Sequence, residues 1–484
     1  MSLILGIDLG TSAIKVAAVK LGESAELAAE GSADFPTDTA LPNQAEQSPA
    51  DWLRATRQAM QALGAKLCSL DPAWAEHVVA IGLTGQLPTL VCLGERGPLA
   101  PAITWKDGRA DSWAAARLGA LRGEHYARTG MPIDGRYLAP MFQFHFAGRA
   151  SEVRIVLSAK DYLLHVLTGL SLTEPSTAAG YGVYDLNKQR FAADLCAFWG
   201  LPERVLPQVR PANASAGTLS RSGAEILGLP AGIPVSTGAA DSVSAAYAMA
   251  GLDERVISIS FGSSAVILGT CATPLLDPKA RYLVTPHVEP AWYGREMDLL
   301  SSGTGYRWLS SLLGWQDGGI DQHAAASPAG ANGLFFAPYL AGGEQGALWN
   351  PRLRGAIFGL SLNHSHADFA RAYLEGVFFE VKRCVEVLAE STPIDSVRVG
   401  GKIVRFASSM QMLTDILAIP VEEAGEGSPA AVGAALQSAR LASAWTAAMC
   451  RVPRPVRTVA PVAPMVERYR SIYTEYLARA ARCE

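Results

Sequence analysis

The feature that most constrains this chain is a hairpin pattern that occurs twice. Near the N-terminus the apolar run Leu3-Ile4-Leu5-Gly6-Ile7 ends in Asp8, turns through Gly10-Thr11-Ser12 and returns as Val16-Ala17-Ala18-Val19. Halfway along, Val256-Ile257-Ser258-Ile259-Ser260 leads through Gly262-Ser263-Ser264 into Ala265-Val266-Ile267-Leu268. A glycine–hydroxyl turn between two buried strands gathers backbone N–H groups and hydroxyls into a concavity that suits anions. One such turn in each half predicts paired phosphate grips facing one another across a cleft, and so an enzyme that uses a nucleotide. Plain hairpin turns are the alternative reading.

The chain has 484 residues, too many for one ordinary core; length alone suggests about three domains, and two large α/β domains would also fit. It is 49% hydrophobic and 18% charged, as expected of a globular protein. The formal net charge of −4 offers no electrostatic reason to expect nucleic acid or an anionic membrane as a partner. Phosphate binding then falls to local N–H groups and a metal ion. The 7 cysteines are dispersed and odd in number, which speaks against a disulfide framework or zinc knuckle and for a reducing cytoplasm. Asp8 interrupts the first apolar run, unlike a secretory signal, and no run reaches the ~20 residues of a membrane helix.

Strand-like and helix-like runs alternate, which predicts an α/β class. Strands are expected at Val78–Leu83, Leu90–Leu93, Val235–Gly238 and Val397–Gly400. Helices are expected at Pro49–Ser69, Asp107–Leu121, Ser158–Thr168, Asp241–Ala250, His366–Leu388, Val404–Ala418 and Pro429–Ala444. In His366–Leu388, the residues Phe369, Tyr373, Val377 and Phe378 fall on one stripe. The Gly-, Ser- and Pro-rich segment Ala212–Pro234 reads as connections around a short helix, and the domain boundary is placed near Ala246.

Motifs in order along the chain carry a family resemblance. They are Ile4–Lys15, Thr84-Gly85-Gln86, Trp105-Lys106-Asp107-Gly108-Arg109, Ala159–Leu163 with Leu167-Thr168-Gly169, and Gly238-Ala239-Ala240-Asp241. They continue with Gly355–Leu360, Ala372–Gly376, Val399-Gly400-Gly401 and the Gly427-Ser428-Pro429 loop. In this order and spacing they resemble the FGGY carbohydrate kinases, above all the xylulokinase branch. The resemblance implies a two-domain actin/hexokinase/Hsp70-like (ribonuclease H-like) fold with a central cleft. It places a sugar-binding and catalytic domain at 1–246 and a nucleotide-binding domain at 247–484. It also implies ATP and Mg²⁺ as cofactors, a small sugar as substrate, no nucleic-acid or membrane partner, and a homodimer as a family-level expectation.

By this resemblance Asp241 is the general base. A carboxylate following small residues at a strand end can accept the proton of a sugar hydroxyl, although an N-cap aspartate is the local alternative. Asp8 is placed at Mg²⁺, its alternative being a turn-starting aspartate. Gly10, Thr11, Ser12, Gly262, Ser263 and Ser264 are assigned to phosphate, with Lys15 leaning toward it or simply solvated. Gly400 and Gly401 are assigned to adenosine or to a plain turn, and Lys402 stands where a third small residue is usual. Gln86, Leu87, Trp105, Asp107, Arg109, Asp241 and Ser242 are placed at the sugar, although Trp105 also reads as a core residue and Asp107–Arg109 as an ion pair.

Two departures concern the substrate. Leu87-Pro88 stand where the xylulokinases carry Met-His, and Met141 follows Ala139-Pro140 where a lysine is expected. The His364–His366 pair lacks metal spacing, and Gly342-Gly343-Glu344 with Trp349-Asn350-Pro351 is read as a structural loop near the cleft. The expected reaction is phosphorylation of D-xylulose at O5. Another ketose or polyol (ribulose, an erythritol-like polyol, glycerol) and a non-catalytic nucleotide-dependent sugar-binding protein remain the alternatives.

Overall fold

The computed structural model describes residues 2–21, 25–315, 319–341, 345–350, 352–401, 406–442 and 455–483. Two seven-stranded sheets form its frame. The first contains β1 (Leu3–Leu9), β2 (Ala13–Lys20), β3 (Glu26–Asp34), β4 (Val78–Gly85), β5 (Ser215–Thr218), β6 (Pro234–Ser236) and the two-residue β7 (Ala239–Ala240). Helix α1 (Pro49–Cys68) covers β3, helix α2 (Ala159–Thr168) lies against β4, and α3 (Asp241–Ala250) follows β7. The second sheet contains β8 (Val256–Phe261), β9 (Ala265–Cys271), β10 (Leu283–Pro286), β11 (Tyr293–Leu299), β12 (Ser396–Gly401), β13 (Val421–Glu423) and β14 (Arg457–Val459). Its helices include α4 (Ser302–Leu312), α5 (His366–Ala389) and α6 (Pro429–Ser438).

The sheets correspond strand for strand. The first runs β3-β2-β1-β4-β6-β5, and the second runs β11-β9-β8-β12-β13-β14, with β10 added at its β11 edge. In each, the opening hairpin is antiparallel, the next two strands add in parallel, and the last is antiparallel. The outer strand beyond each hairpin is antiparallel as well. β1 is buried along its whole length, as a central strand covered on both faces must be, which explains its nearly continuous apolar run. The buried stripe of α5 includes Tyr373, Val377 and Phe378, while Phe369 is only partly buried.

Small residues let the halves approach closely. Helix α6 lies in the C-terminal half of the chain yet packs on β1 and β4. A Cβ at Gly6 would stand 1.8 Å from the Ala431 carbonyl oxygen, and one at Gly82 would stand 1.7 Å from that of Ala434. On its other face α6 meets α3, where a Cβ at Gly433 would stand 1.8 Å from the Ser244 carbonyl oxygen. Helix α3 in turn packs on β8. Each half thus contributes one helix to a shared layer between the sheets.

Several expected boundaries move for local reasons. The helix expected from Asp107 begins at Asp111, because the Asp107 carboxylate accepts the N–H groups of Ala45 (3.0 Å) and Arg109 (3.1 Å) in a turn. It ends at Leu118 before a 3₁₀ turn. The strand expected to reach Gly238 stops at Ser236, and the chain passes Gly238 with φ +87° before β7 pairs with the end of β4. The last expected helix ends at Ser438 rather than Ala444, and the one expected from Val404 begins at Ala407. Lys402, Val404, Gly342–Glu344, Pro351, Ala444 and Cys450 lie outside the described residues.

Candidate active site

Asp241 is placed by the backbone before it. Thr84 Oγ1 donates to the Ala239 carbonyl at 2.8 Å, and Ala240 N–H donates to Ser176 Oγ at 2.9 Å. The buried Lys160 ammonium donates to the Thr237 carbonyl at 2.9 Å and to Asp161 at 2.6 Å. A Cβ at Gly238 would stand 2.1 Å from the Leu83 carbonyl oxygen, so only glycine permits this crossing. Asp241 is the first residue of α3 and Ala240 is its N-cap, so the N-cap alternative for Asp241 does not hold. Its Oδ1 accepts the Ser242 N–H at 2.8 Å. Burial, then the Asp8, Glu296 and Asp298 carboxylates, hold the Asp241 carboxyl well above its ordinary pKa.

Asp241 opens onto a cleft of about 660 Å³, counted out to the solvent at its mouth. One wall comes from the first half: Thr11, Leu87, Pro88, Trp105 and, further round, Met131, Tyr137, Ser176 and Gly180. The facing wall is Ser264, Val266, Leu283, Thr285, Glu296 and Asp298. The two hairpin turns therefore meet at one cleft, through Thr11 and Ser264. Gly10 N–H is engaged by the Ala13 carbonyl (3.1 Å) and Gly262 N–H by that of Ser264 (2.8 Å). These glycines shape their turns, which leaves anion contacts to the hydroxyl-bearing neighbours. Ser263 is tied to the start of α4, its carbonyl accepting the Thr304 N–H at 2.9 Å, while Ser12 is exposed with its carbonyl on Phe35 N–H.

Asp8 sits inside β1 opposite the exposed Lys15 on β2. Burial pushes its carboxyl up to about 6, against the pull of Lys15. Its Oδ1 is buried without a hydrogen-bond partner, and Ser428 Oγ approaches Oδ2 at 3.5 Å. An open, buried carboxylate oxygen beside a phosphate-sized turn fits Mg²⁺, which takes one or two carboxylates and completes its shell with water and phosphate. Among the described residues no group of three His, Cys, Asp or Glu side chains could hold a metal. Nucleotide phosphates would have to provide the remaining ligands.

The other expected residues separate into two sets. Trp105 lines the cleft and donates its indole N–H to Thr11 Oγ1 at 3.1 Å, so it links the acceptor side to the first turn. Leu87 and Pro88 line the cleft and close that side with apolar surface. Ser242 lines it too, and its hydroxyl reaches Glu296. Asp107 and Arg109 do not: Arg109 bonds Asp107 and Glu46 (2.5 Å), holding a loop rather than facing the cleft. Gln86 lies behind it, donating to Gln47 at 2.7 Å. Met141 is buried in the apolar cluster behind Met131 and Tyr137 and does not line the cleft.

Gly401 ends β12 with φ +112°, and a Cβ there would stand 2.0 Å from the Phe261 carbonyl oxygen. Gly400 packs near Pro429 and Met249, which ties the end of β12 to the shared helical layer. Glu296 and Asp298 are cleft residues that the sequence reading passed over. They lie 55 and 57 positions after Asp241, and no local motif marks them.

The fold agrees with that of known proteins. The N-terminal domain pattern of the FGGY family of carbohydrate kinases matches residues 3–248, and its C-terminal domain pattern matches residues 257–442. The chain is 27% identical to a xylulose kinase of Bacillus subtilis over 98% of this chain and 96% of that protein. It is also 27% identical to a gluconokinase of the same organism, over 86% of this chain and 83% of that one. A solved xylulose kinase structure from Brucella ovis superposes with a TM-score of 0.87 at 27% identity, covering 98% of each chain. The chain belongs to the FGGY family of carbohydrate kinases.

Proposed function

We propose that the protein transfers the γ-phosphoryl group of ATP to a small neutral sugar, D-xylulose at O5 being the favoured acceptor. The observation that carries this reading is the meeting of Asp241 with Thr11 and Ser264, one residue from each hairpin turn, at a single cleft. In-line transfer needs little covalent chemistry from the protein, so positioning and charge carry it. Asp241 accepts the proton of the attacking hydroxyl, and a carboxyl held above its ordinary pKa is a better base near neutral pH. The hydroxyls of Thr11 and Ser263 hold the phosphates, with Ser264, whose hydroxyl bonds Asp298, beside them. Asp8 would hold Mg²⁺, which when bound with ATP neutralises phosphate charge. Gly400 and Gly401 lie where the family's adenosine motif is expected, and Trp105 packs on the C–H face of the sugar.

Xylulose is supported by the names of relatives such as those from Bacillus subtilis and Brucella ovis. Leu87 and Pro88 line the cleft in place of a Met-His pair, and a neutral ketose or polyol other than xylulose fits the same walls. A coupled ADP-release assay across xylulose, ribulose, erythritol and glycerol decides among them. Asp241→Asn is expected to keep nucleotide affinity and to lose about 10²- to 10⁴-fold in kcat. Normal turnover by that variant would remove Asp241 from the role of base.

A further inference from the structure

The wall of the cleft facing Asp241 is acidic. Glu296 and Asp298 alternate on β11 and face the same side of the strand, as residues two apart must. Glu296 is buried and held by hydroxyls: Thr285 Oγ1 donates to its Oε2 at 3.1 Å, and Ser242 bonds it from α3. Asp298 receives the Ser264 hydroxyl, and its Oδ1 is buried with no hydrogen-bond partner. Its backbone is fixed by the N–H···O bond to Gln345 at 3.1 Å. With Asp241, three carboxyl groups line the cleft, and among the described residues no Lys or Arg lines it. Arg136, whose charge acts on Asp298, is already bonded to Asp134 at 3.0 Å.

We propose that Glu296 and Asp298 set the acceptor specificity of this kinase, admitting uncharged polyhydroxylated substrates and rejecting aldonates. Their oxygens accept hydrogen bonds from acceptor hydroxyls remote from the one that is phosphorylated. Placed in the same cleft, a substrate carboxylate would face two or three like charges, with no Lys or Arg among the described lining residues to offset them. Like-charge juxtaposition in a partly desolvated site lowers affinity by roughly 100-fold or more. A hydrogen bond from a neutral hydroxyl to a charged acceptor raises it by about 10-fold or more. The inference rests on the reading of the cleft as the acceptor site.

The test uses matched neutral and anionic acceptors, xylulose with xylonate and glycerol with glycerate, on the full-length enzyme with Mg-ATP at pH 8. Initial rates are measured alongside calorimetric binding of each acceptor in the presence of Mg-ADP. The neutral member is expected to have a KM and a dissociation constant at least 100-fold lower than its acid. Glu296→Gln and Asp298→Asn are expected to raise the neutral KM about 10-fold or more and to narrow the neutral-to-acid ratio by at least 10-fold, with unchanged ADP affinity and melting behaviour. An acid bound as well as its neutral partner would overturn the proposal, as would folded variants with an unaltered ratio. If a variant does not fold, the wild-type matched pairs still decide. If calorimetry shows the selectivity but no acceptor is phosphorylated, the proposed kinase reaction fails and the specificity assignment stands.

Discussion

Asp8 shows how a single residue at a proposed metal site carries a stability cost. Its carboxyl is raised to about 6 in the folded chain, chiefly by burial, from the ordinary value near 4. An acid with a raised folded pKa binds its proton more tightly in the folded state. Its contribution therefore declines as pH rises from about 4 to about 6 and stays unfavourable above that window. Asp8→Asn removes the buried charge and is expected to stabilise the ligand-free protein by about 1–3 kcal/mol at pH 8. The gain should vanish below about pH 4, where aspartate is protonated in both states. Urea melts of the two proteins across that range provide the measurement, and an unchanged or lower stability at pH 8 would refute the account. The same variant should require far more Mg²⁺ for turnover, since the negative charge of the carboxylate with the open Oδ1 is lost. Glu296, pushed up to about 7, and Asp298, pushed up to about 6, bear similar costs for facing the cleft.

At the scale of elements, the informative contact is α6 against α3. Replacing a mid-helix glycine with alanine ordinarily stabilises a helix by about 1 kcal/mol. At Gly433 the sign reverses, because the new Cβ would stand 1.8 Å from backbone in α3. Gly433→Ala is expected to destabilise by about 1–3 kcal/mol through overpacking, and calorimetry or denaturant melts give the value. A rise in stability would mean that the two helices separate without penalty. Because α3 begins at Asp241 and α6 begins one residue after Ser428, displacing one helix from the other also disturbs Asp241 and the hydroxyl beside Asp8. The hairpins behave differently: each is stabilised by neighbouring strands of its own sheet, and its turn needs only local residues.

For the whole molecule, the crossing of α6 onto the first sheet predicts cooperative unfolding. The ligand-free chain is expected to melt in one calorimetric transition, with matching calorimetric and van't Hoff enthalpies. Two resolved transitions would show that the shared helical layer does not couple the halves. Mg-ADP at about 100 times its dissociation constant should raise the stability of that single transition by about 2.7 kcal/mol. Much of this architecture was legible in local sequence. The apolar runs with their glycine–hydroxyl turns marked both hairpins, because strand burial and turn chemistry are encoded over fewer than twenty residues. Family-like motifs pointed to Asp241, Asp8 and Trp105. What sequence by itself determined was the class of fold, the family, and the residues whose roles depend on their immediate neighbours. Tertiary structure alone decided that Asp107 and Arg109 serve a loop, that Gly10 and Gly262 close turns, and that Glu296 and Asp298 face Asp241. The physical reason is that a cleft wall is made by strands far apart in the chain. Which face a carboxylate presents there depends on register and packing against the other half, and no local pattern records either.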